Sequence, residues 1–153
     1  MDYLRFIVAM VFCLWLGGCD IYPKDPHKTL QNIRETSTIN IGVIEAPPWA
    51  SHITMEGPEI DIARAFANHL NVAPHWVPIS IHQAVEKLDL GELDIVIGGL
   101  TTTTPYEGIG LTRPYKETDN DDSDQHVLGL RRGENHLLIE LETFIKTYKA
   151  GAP

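Results

Sequence analysis

Cysteine is scarce in this sequence of 153 residues, which has only two, Cys13 and Cys19. Both lie within the first nineteen residues, so the rest of the chain has no pair that could form a disulfide and no thiolate for a metal site. Seven histidines are present, but their spacing matches no known metal-binding motif, and we expect them to lie at the surface. We therefore expect neither a metal ion nor any other cofactor.

Basic residues are also few. Twelve lysines and arginines stand against 21 aspartates and glutamates, which gives a net charge of −9. An acidic surface of this kind argues against nucleic acid as a partner, because it repels phosphate. It also leaves no polybasic patch for an anionic membrane.

Long apolar runs are missing too. Residues 6–16 form an unbroken run of eleven apolar residues, which is too short to span a bilayer as a helix. The run follows a short polar start with one arginine, and this arrangement is typical of an export signal. We interpret residues 1–18 as a signal peptide.

The end of the signal, Leu16-Gly17-Gly18-Cys19, resembles the lipobox of bacterial lipoproteins. The resemblance implies cleavage before Cys19 and lipidation of that cysteine, and Asp20 resembles the signal that retains lipoproteins at the inner membrane. We expect the chain to be anchored by lipid at the periplasmic face of the cytoplasmic membrane. The alternative is a plain secretory signal with an incidental cysteine.

Hydrophobic periodicity then alternates between that of strands and that of helices. Residues 19–38 are predicted to form a tether and a short helix, with Asp25 as its cap and Pro26 as its first residue. The order that follows is strand, helix, strand, helix, strand. Such alternation with short links predicts an α/β fold in which helices flank a mainly parallel sheet. The predicted strands are 39–44, 74–79 and 93–97, and the predicted helices lie between Gly57 and Asn71 and between Ser80 and Gly91.

The candidate site follows the third predicted strand, which ends in Gly98-Gly99 and four threonines. In open α/β sheets, ligands bind at the carboxyl ends of the strands. Trp49 follows two prolines at the end of the first strand, and its position is compatible with two roles, lining the pocket or folding back onto the core. Ser80 begins a capping box at the next helix, whose amino terminus would add partial positive charge.

Four segments resemble the first lobe of the family 3 extracellular solute-binding proteins of bacterial ABC transporters, namely INIGVIEAPPW, GPEIDIARAFANHL, HQAVEKLDLGELDIVIGGLTTTTP and LTRPY. The resemblance implies a periplasmic binding protein-like lobe over residues 39–115, a small polar solute as ligand, and an ABC permease or other membrane partner. It also implies that the chain is not an enzyme.

Two departures from the family pattern stand out. Amino-acid binders of the family carry a carboxylate-binding arginine after the threonine, where this chain has Tyr106 or a neighbour, and Arg113 lies too far along to replace it. The second lobe is also missing, since Tyr115 is followed by an acidic loop, residues 116–125. Residues 126–153 are predicted to form a strand and a last helix, and they resemble the end of the family's second lobe.

We therefore expect the solute to stack between Trp49 and Tyr106 and to bond with threonine hydroxyls. A docking or vestigial module for a membrane partner is the first alternative. A dehydratase-like enzyme on the same fold, with Glu45 as general acid, is the second. The candidate ligand-binding residues are Trp49, Ser80, Gly99, Thr101, Thr103 and Tyr106.

Overall fold

The computed structural model describes residues 25–105, 107–115 and 125–150. The predicted signal peptide, Cys19, Tyr106 and the acidic run 116–124 lie outside the described residues. The described chain has four helices and five strands, in the order α1 (Thr29–Thr36), β1 (Thr38–Val43), α2 (Pro58–Leu70), β2 (Ala73–Pro78), α3 (Ile81–Leu90), β3 (Ile95–Ile97), β4 (Ile109–Leu111), β5 (Gly129–Arg131) and α4 (Asn135–Ala150).

The strands form one sheet in the order β2-β1-β3-β5-β4. β1 pairs in parallel with β2 on one side and with β3 on the other, as the alternation of strands and helices predicts. β5 enters between β3 and β4 and is antiparallel to both. The α/β class is therefore confirmed, and the sheet itself is mixed, with a parallel half and an antiparallel half.

Helices cover both faces of the sheet. One face packs against α1, α2 and α4 through a large cluster that includes Ile33, Phe66 and Leu137. The other face packs against α3 through a smaller cluster that includes Leu88 and Val96. Within β3, Ile95 and Ile97 belong to the first cluster and Val96 to the second, and this alternation is why all three positions are apolar.

The carboxyl-terminal segment corrects one expectation. Residues 126–153 were expected to resemble the end of a second lobe, but β5 is an inner strand of the first lobe's own sheet, and Leu130 is 1% exposed. Leu137, Leu141 and Ile145 of α4 belong to the same core cluster as α2. This segment completes the lobe because β5 lies between β3 and β4 and pairs with both, whereas β3 and β4 do not pair with each other.

The start of α1 corrects the expectation that Asp25 caps this helix. Asp25 does not cap the helix, which begins at Thr29 after Lys28 in a left-handed conformation. The carboxylate of Glu134 accepts hydrogen bonds from the N–H groups of His27 at 3.0 Å and Thr29 at 2.9 Å. A residue that directly precedes α4 therefore caps α1, and spacing along the chain could not predict it.

The ends of the two central helices agree with the sequence analysis. Asn71 and Gly91 both end their helices in left-handed conformations, and Ser80 and Gln83 form the capping box of α3. Among the described helices, none has the length and apolar character needed to cross a bilayer.

Candidate functional site

The site predicted from the sequence lies at the carboxyl edge of the parallel strands. β1 is followed by the loop that carries Trp49, β3 by the glycines and threonines, and β2 by Ser80 and α3. Because β1 lies between β2 and β3, these three connections leave the sheet at one edge.

Backbone hydrogen bonds hold the loop that carries Trp49. Its N–H donates to the carbonyl of Ala46 at 2.8 Å, and its carbonyl accepts from the N–H of Glu59 at 3.1 Å, at the start of α2. A Cβ at Gly57, where φ is +123°, would lie 2.4 Å from the Trp49 carbonyl oxygen. The sequence needs glycine there because the loop and the helix start are in backbone contact.

The glycine pair after β3 lies directly against this loop. A Cβ on Gly98, where φ is +133°, would lie 2.5 Å from Ile44 Cβ, and one on Gly99 would lie 3.4 Å from Trp49 Cδ1. Of the predicted site residues, the structure therefore brings Trp49 and Gly99 together. Trp49 itself is half-buried.

The threonines form a tight turn. The N–H of Thr104 donates to the carbonyl of Thr101 at 2.9 Å, and the N–H of Thr101 donates to Thr104 Oγ1 at 2.8 Å. The hydroxyls of Thr101 and Thr103 lie 3.1 Å apart. Thr103 is exposed and Thr101 half-buried, so this pair can both donate to and accept from a polar group in solvent.

Ser80 is occupied by helix capping. Its hydroxyl donates to Gln83 Oε1 at 2.9 Å and accepts from the Gln83 N–H at 3.5 Å. The loop after the threonines approaches the same helix, because a Cβ on Gly108 would lie 3.3 Å from Val85 Cγ1. The structure thus puts Ser80 on the α3 side of the site.

Sequence reasoning missed the buried group at the centre of this edge, Glu59, which is 0% exposed. Its carboxylate accepts from the N–H of Gly98 at 2.6 Å, from that of Gly99 at 3.1 Å and from the Tyr115 hydroxyl at 2.7 Å. Burial raises the pKa of Glu59, while these three hydrogen bonds act in the opposite direction. Burial, with the neighbouring Glu59, also raises the pKa of Tyr115.

A signal for Glu59 was present in the sequence. In α2 it lies four residues before Ala63 and seven before Phe66, on the stripe that faces the core. It also lies in the first turn of the helix, where the dipole favours a carboxylate whether or not it is buried. Its helical position predicts burial, and a buried carboxylate requires donors.

His126 corrects the expectation that the histidines lie at the surface, since it is only 7% exposed. Its ring centroid lies 3.6 Å from that of Trp49 with an angle of 32° between the planes. Its Nδ1 lies 3.9 Å from Glu59 Oε1. Trp49 therefore packs back onto the core through His126 while keeping an exposed part, so both roles considered for it are compatible.

Arg113 is outside this edge, as expected. Its Nε lies 3.5 Å from Glu142 Oε2 of α4, and its N–H donates to the same carboxylate at 2.8 Å. It lines an open groove of about 530 Å³ together with α4. It is therefore not available to grip a ligand carboxylate beside the threonines.

The surroundings of Glu45 do not suit a general acid. Its carboxylate accepts from Ser51 Oγ at 2.8 Å and from the N–H of His52 at 2.9 Å. The hydrogen bond from Ser51 is the main reason that the pKa of Glu45 is lowered, whereas a general acid at neutral pH needs a raised one. Within residues 25–105, 107–115 and 125–150, no group of three or more His, Cys, Asp or Glu is arranged to hold a metal ion.

A single α/β lobe with strand-end loops at one edge is the architecture of one half of a periplasmic binding protein. The family model of the bacterial extracellular solute-binding proteins, family 3, which describes the sequence pattern of that family, matches residues 39–151. The chain belongs to this family.

Solved structures agree on the fold. The chain is similar to the arginine-bound form of domain 1 from TmArgBP, with 20% identity and a TM-score of 0.67, over 76% of this chain and 97% of that one. A point mutant of the same arginine-bound domain gives 19% identity and a TM-score of 0.70, over 79% and 98% of the two chains. An amino acid ABC transporter substrate-binding protein from Streptococcus pneumoniae, bound to L-arginine, gives 13% identity and a TM-score of 0.67, over 80% and 92%.

Among curated proteins, the chain is similar to two probable tartrate dehydrogenase/decarboxylases of Agrobacterium vitis, TtuC and TtuC′. Each is 30% identical over 97 residues, which cover 61% of this chain. The matched segment spans only 27% of the length of those relatives.

Proposed function

We propose that this chain is the solute-binding component of an ABC-type transport system and that it takes a small polar solute at the carboxyl edge of β1 and β3. The observation that carries the proposal is the position of Trp49. Its indole is held between Gly99 and His126 and keeps part of its surface exposed. A fixed aromatic surface near hydroxyls that can donate and accept is a common basis for binding a polar ligand, because little entropy is lost on ordering the aromatic ring.

The threonine turn supplies the polar part of the proposed site. The hydroxyls of Thr101 and Thr103 are adjacent, and Thr103 is exposed. The N–H groups of Gly98 and Gly99 are already taken by Glu59, so they are not expected to bond with the solute. Tyr106 remains a predicted second stacking surface, and the amino terminus of α3 at Ser80 remains a predicted source of partial positive charge.

A single lobe is a reasonable unit for this function. Domain 1 from TmArgBP is arginine-bound in its solved structures, and almost the entire length of that domain matches this chain. L-arginine is therefore the first solute to test. Because Arg113 is held by Glu142 outside this edge, it does not serve as guanidinium partner for a ligand carboxylate, which favours weak binding or a ligand whose charge lies elsewhere.

Export and attachment complete the proposal. The predicted signal peptide and the lipidation of Cys19 would hold the lobe at the periplasmic face of the cytoplasmic membrane, where a permease could receive the solute. The chain then acts as a binding protein and not as an enzyme, and the lowered pKa of Glu45 supports this over a dehydratase-like reaction.

The test is isothermal titration calorimetry of the purified chain with L-arginine, then with other amino acids, polyamines and sugars. We expect saturable binding that is lost in Trp49→Ala and in Thr103→Ala. Thr102→Ala is the matched control, because it makes the same change at an exposed neighbour outside the proposed site. Equal affinity in all three variants would reject the site, and a folded chain with no binding to any compound would favour the docking module instead.

A further inference from the structure

We propose that Glu59 is a positioning residue of the solute site, which sets the place of the Gly98–Thr101 turn and, through His126, of the Trp49 ring. The proposal extends the proposed function and rests on it for the meaning of the site. Glu59 would not touch the solute, because it is 0% exposed.

The first step is the contact with the glycine turn. The same carboxylate oxygen, Oε2, lies 2.6 Å from Gly98 N and 3.1 Å from Gly99 N. Both glycines have positive φ, +133° and +68°. Because glycine has no Cβ, it lacks the steric preferences that would hold other residues in one conformation. An outside anchor is therefore needed to keep the turn in place, and Glu59 supplies it from a rigid helix.

The second step leads to the aromatic surface. Glu59 Oε1 accepts from the Tyr115 hydroxyl at 2.7 Å and lies 3.9 Å from Nδ1 of His126. The His126 ring packs at 3.6 Å on Trp49 and at 6.1 Å from the ring of Tyr115. Glu59 Oε1 also lies 3.3 Å from Gly99 N. Glu59 thus contacts the turn through both oxygens, and Oε1 in addition lies beside His126, the ring on which Trp49 packs.

The third step concerns what the chemistry requires. Three donors converge on the carboxylate, and a buried donor left without an acceptor is costly. A glutamine can keep the contact with the turn, because its carbonyl can accept from both glycines; its amide can donate to the Tyr115 oxygen, and only the Tyr115 O–H loses its acceptor. An aspartate keeps the charge but is one methylene shorter, so its carboxylate stops short of the turn. The effect of the position of the Glu59 side chain can therefore be separated from the effect of its charge by comparing glutamine with aspartate at this residue.

The experiment compares Glu59→Gln with Glu59→Asp in a full chain in which Trp49 is the only tryptophan, through Trp15→Phe and Trp76→Phe. Amide hydrogen exchange at Gly98 and Gly99 reports on the turn, and Trp49 fluorescence reports on the aromatic surface. Calorimetry with L-arginine reports on the site. Asp94→Asn is the control, because Asp94 is also a buried carboxylate but accepts from Asn40 N at 2.7 Å, away from the turn.

We expect Glu59→Gln to keep the exchange rates and the emission spectrum of the parent and to change affinity by less than about threefold. We expect Glu59→Asp to speed exchange at both glycines by about tenfold or more, to shift the emission to the red and to weaken binding of L-arginine by about tenfold, in line with losing a charge-assisted hydrogen bond. Asp94→Asn should leave the Trp49 spectrum unchanged.

A shifted spectrum and fast exchange in Glu59→Gln, or parental behaviour in Glu59→Asp, would overturn the proposal. If circular dichroism shows that Glu59→Asp is not folded, the result for Glu59→Gln decides alone. If the parent binds no L-arginine, the proposed function loses its first ligand, but the exchange and fluorescence measurements still test Glu59. Failure of the two proposals can therefore be told apart.

Discussion

The indole of Trp49 packs on the imidazole of His126 with 3.6 Å between the ring centroids. The two residues are 77 positions apart in the sequence and come from opposite halves of the sheet, because Trp49 follows parallel β1 while His126 precedes antiparallel β5. His126 also pairs through its backbone with Thr101 in an isolated antiparallel bridge. The contact therefore ties the aromatic part of the proposed site to its hydroxyl part.

This relationship gives the first prediction. His126→Ala removes the support of Trp49 and should lower the free energy of unfolding by about 1 kcal/mol for the aromatic pair, in addition to the loss of buried area. His126→Phe keeps an aromatic partner and should retain most of that energy. Urea denaturation measures both, and Trp49 fluorescence should shift to the red only in His126→Ala. Identical spectra in the two variants would show that the ring contact does not order Trp49.

The carboxyl pair at the start of α1 gives a prediction for pH. Burial, with the neighbouring Glu134, raises the pKa of Asp25 to about 7. Burial acts to raise the pKa of Glu134 as well, but the hydrogen bond with Asp25, followed by those from Thr29 and from the N–H of His27, lowers it. The folded protein thus holds a proton on Asp25 that the unfolded chain releases near pH 4. The contribution of Asp25 to stability is present at low pH and is lost as pH rises through about 7.

The melting temperature should therefore fall between pH 5 and pH 8, and Asp25→Asn should flatten that fall. At pH 8 the amide can donate to Glu134 as the protonated carboxyl does, so we expect this variant to be more stable than the parent by about 1 kcal/mol, the usual net value of a hydrogen bond. Asp61→Asn is the control, because that carboxylate is exposed. A fall that survives unchanged in Asp25→Asn would assign the pH dependence to another group.

The place of β5 within the lobe gives a third prediction. Leu130 is 1% exposed in the inner strand β5, so Leu130→Ala should lower the free energy of unfolding by about 2–5 kcal/mol. Leu90→Ala is the matched control, since Leu90 is 64% exposed and should change stability by no more than about 0.5 kcal/mol. Chemical denaturation measures both. Equal, small effects would mean that the carboxyl-terminal segment is a dispensable addition to the lobe.

Ser80 gives the last prediction, because its capping role and its proposed site role can be separated. Ser80→Ala should cost about 1 kcal/mol through loss of the α3 cap, whereas Ser80→Asp restores an acceptor for the Gln83 N–H. If Ser80 acts only through the helix amino terminus, solute affinity should follow the stability of α3 in both variants. Full stability in Ser80→Asp with lost affinity would instead indicate direct contact between the hydroxyl and the solute.

Much of the fold could be predicted because its signals are local. The buried strand at Ile95–Ile97, the ends of α2 and α3 at Asn71 and Gly91, and the capping box at Ser80 all depend on residues within one or two turns of each other. The four family-like segments extended this reading to the α/β lobe. Such signals survive in a linear sequence because the interactions that they describe form between neighbours.

The centre of the candidate site could be predicted only in part. The sequence indicated Trp49, Gly99 and Thr101 as residues at the ends of strands. It did not indicate Glu59, whose partners Gly98 and Tyr115 are 39 and 56 residues away, or His126, which was expected at the surface. It also misassigned the cap of α1, which Glu134 provides across the fold.

By itself, then, the sequence determined the alternation of strands and helices through β3 and the ends of α2 and α3, because periodicity and capping act over a few residues. The edge at which a ligand would bind stays a prediction. The tertiary structure alone decided that β5 enters the sheet between β3 and β4 and that one buried carboxylate gathers the glycine turn and Tyr115 beside His126. These features depend on pairing and burial between distant segments. A local pattern carries no information about which distant donor will satisfy a buried acceptor.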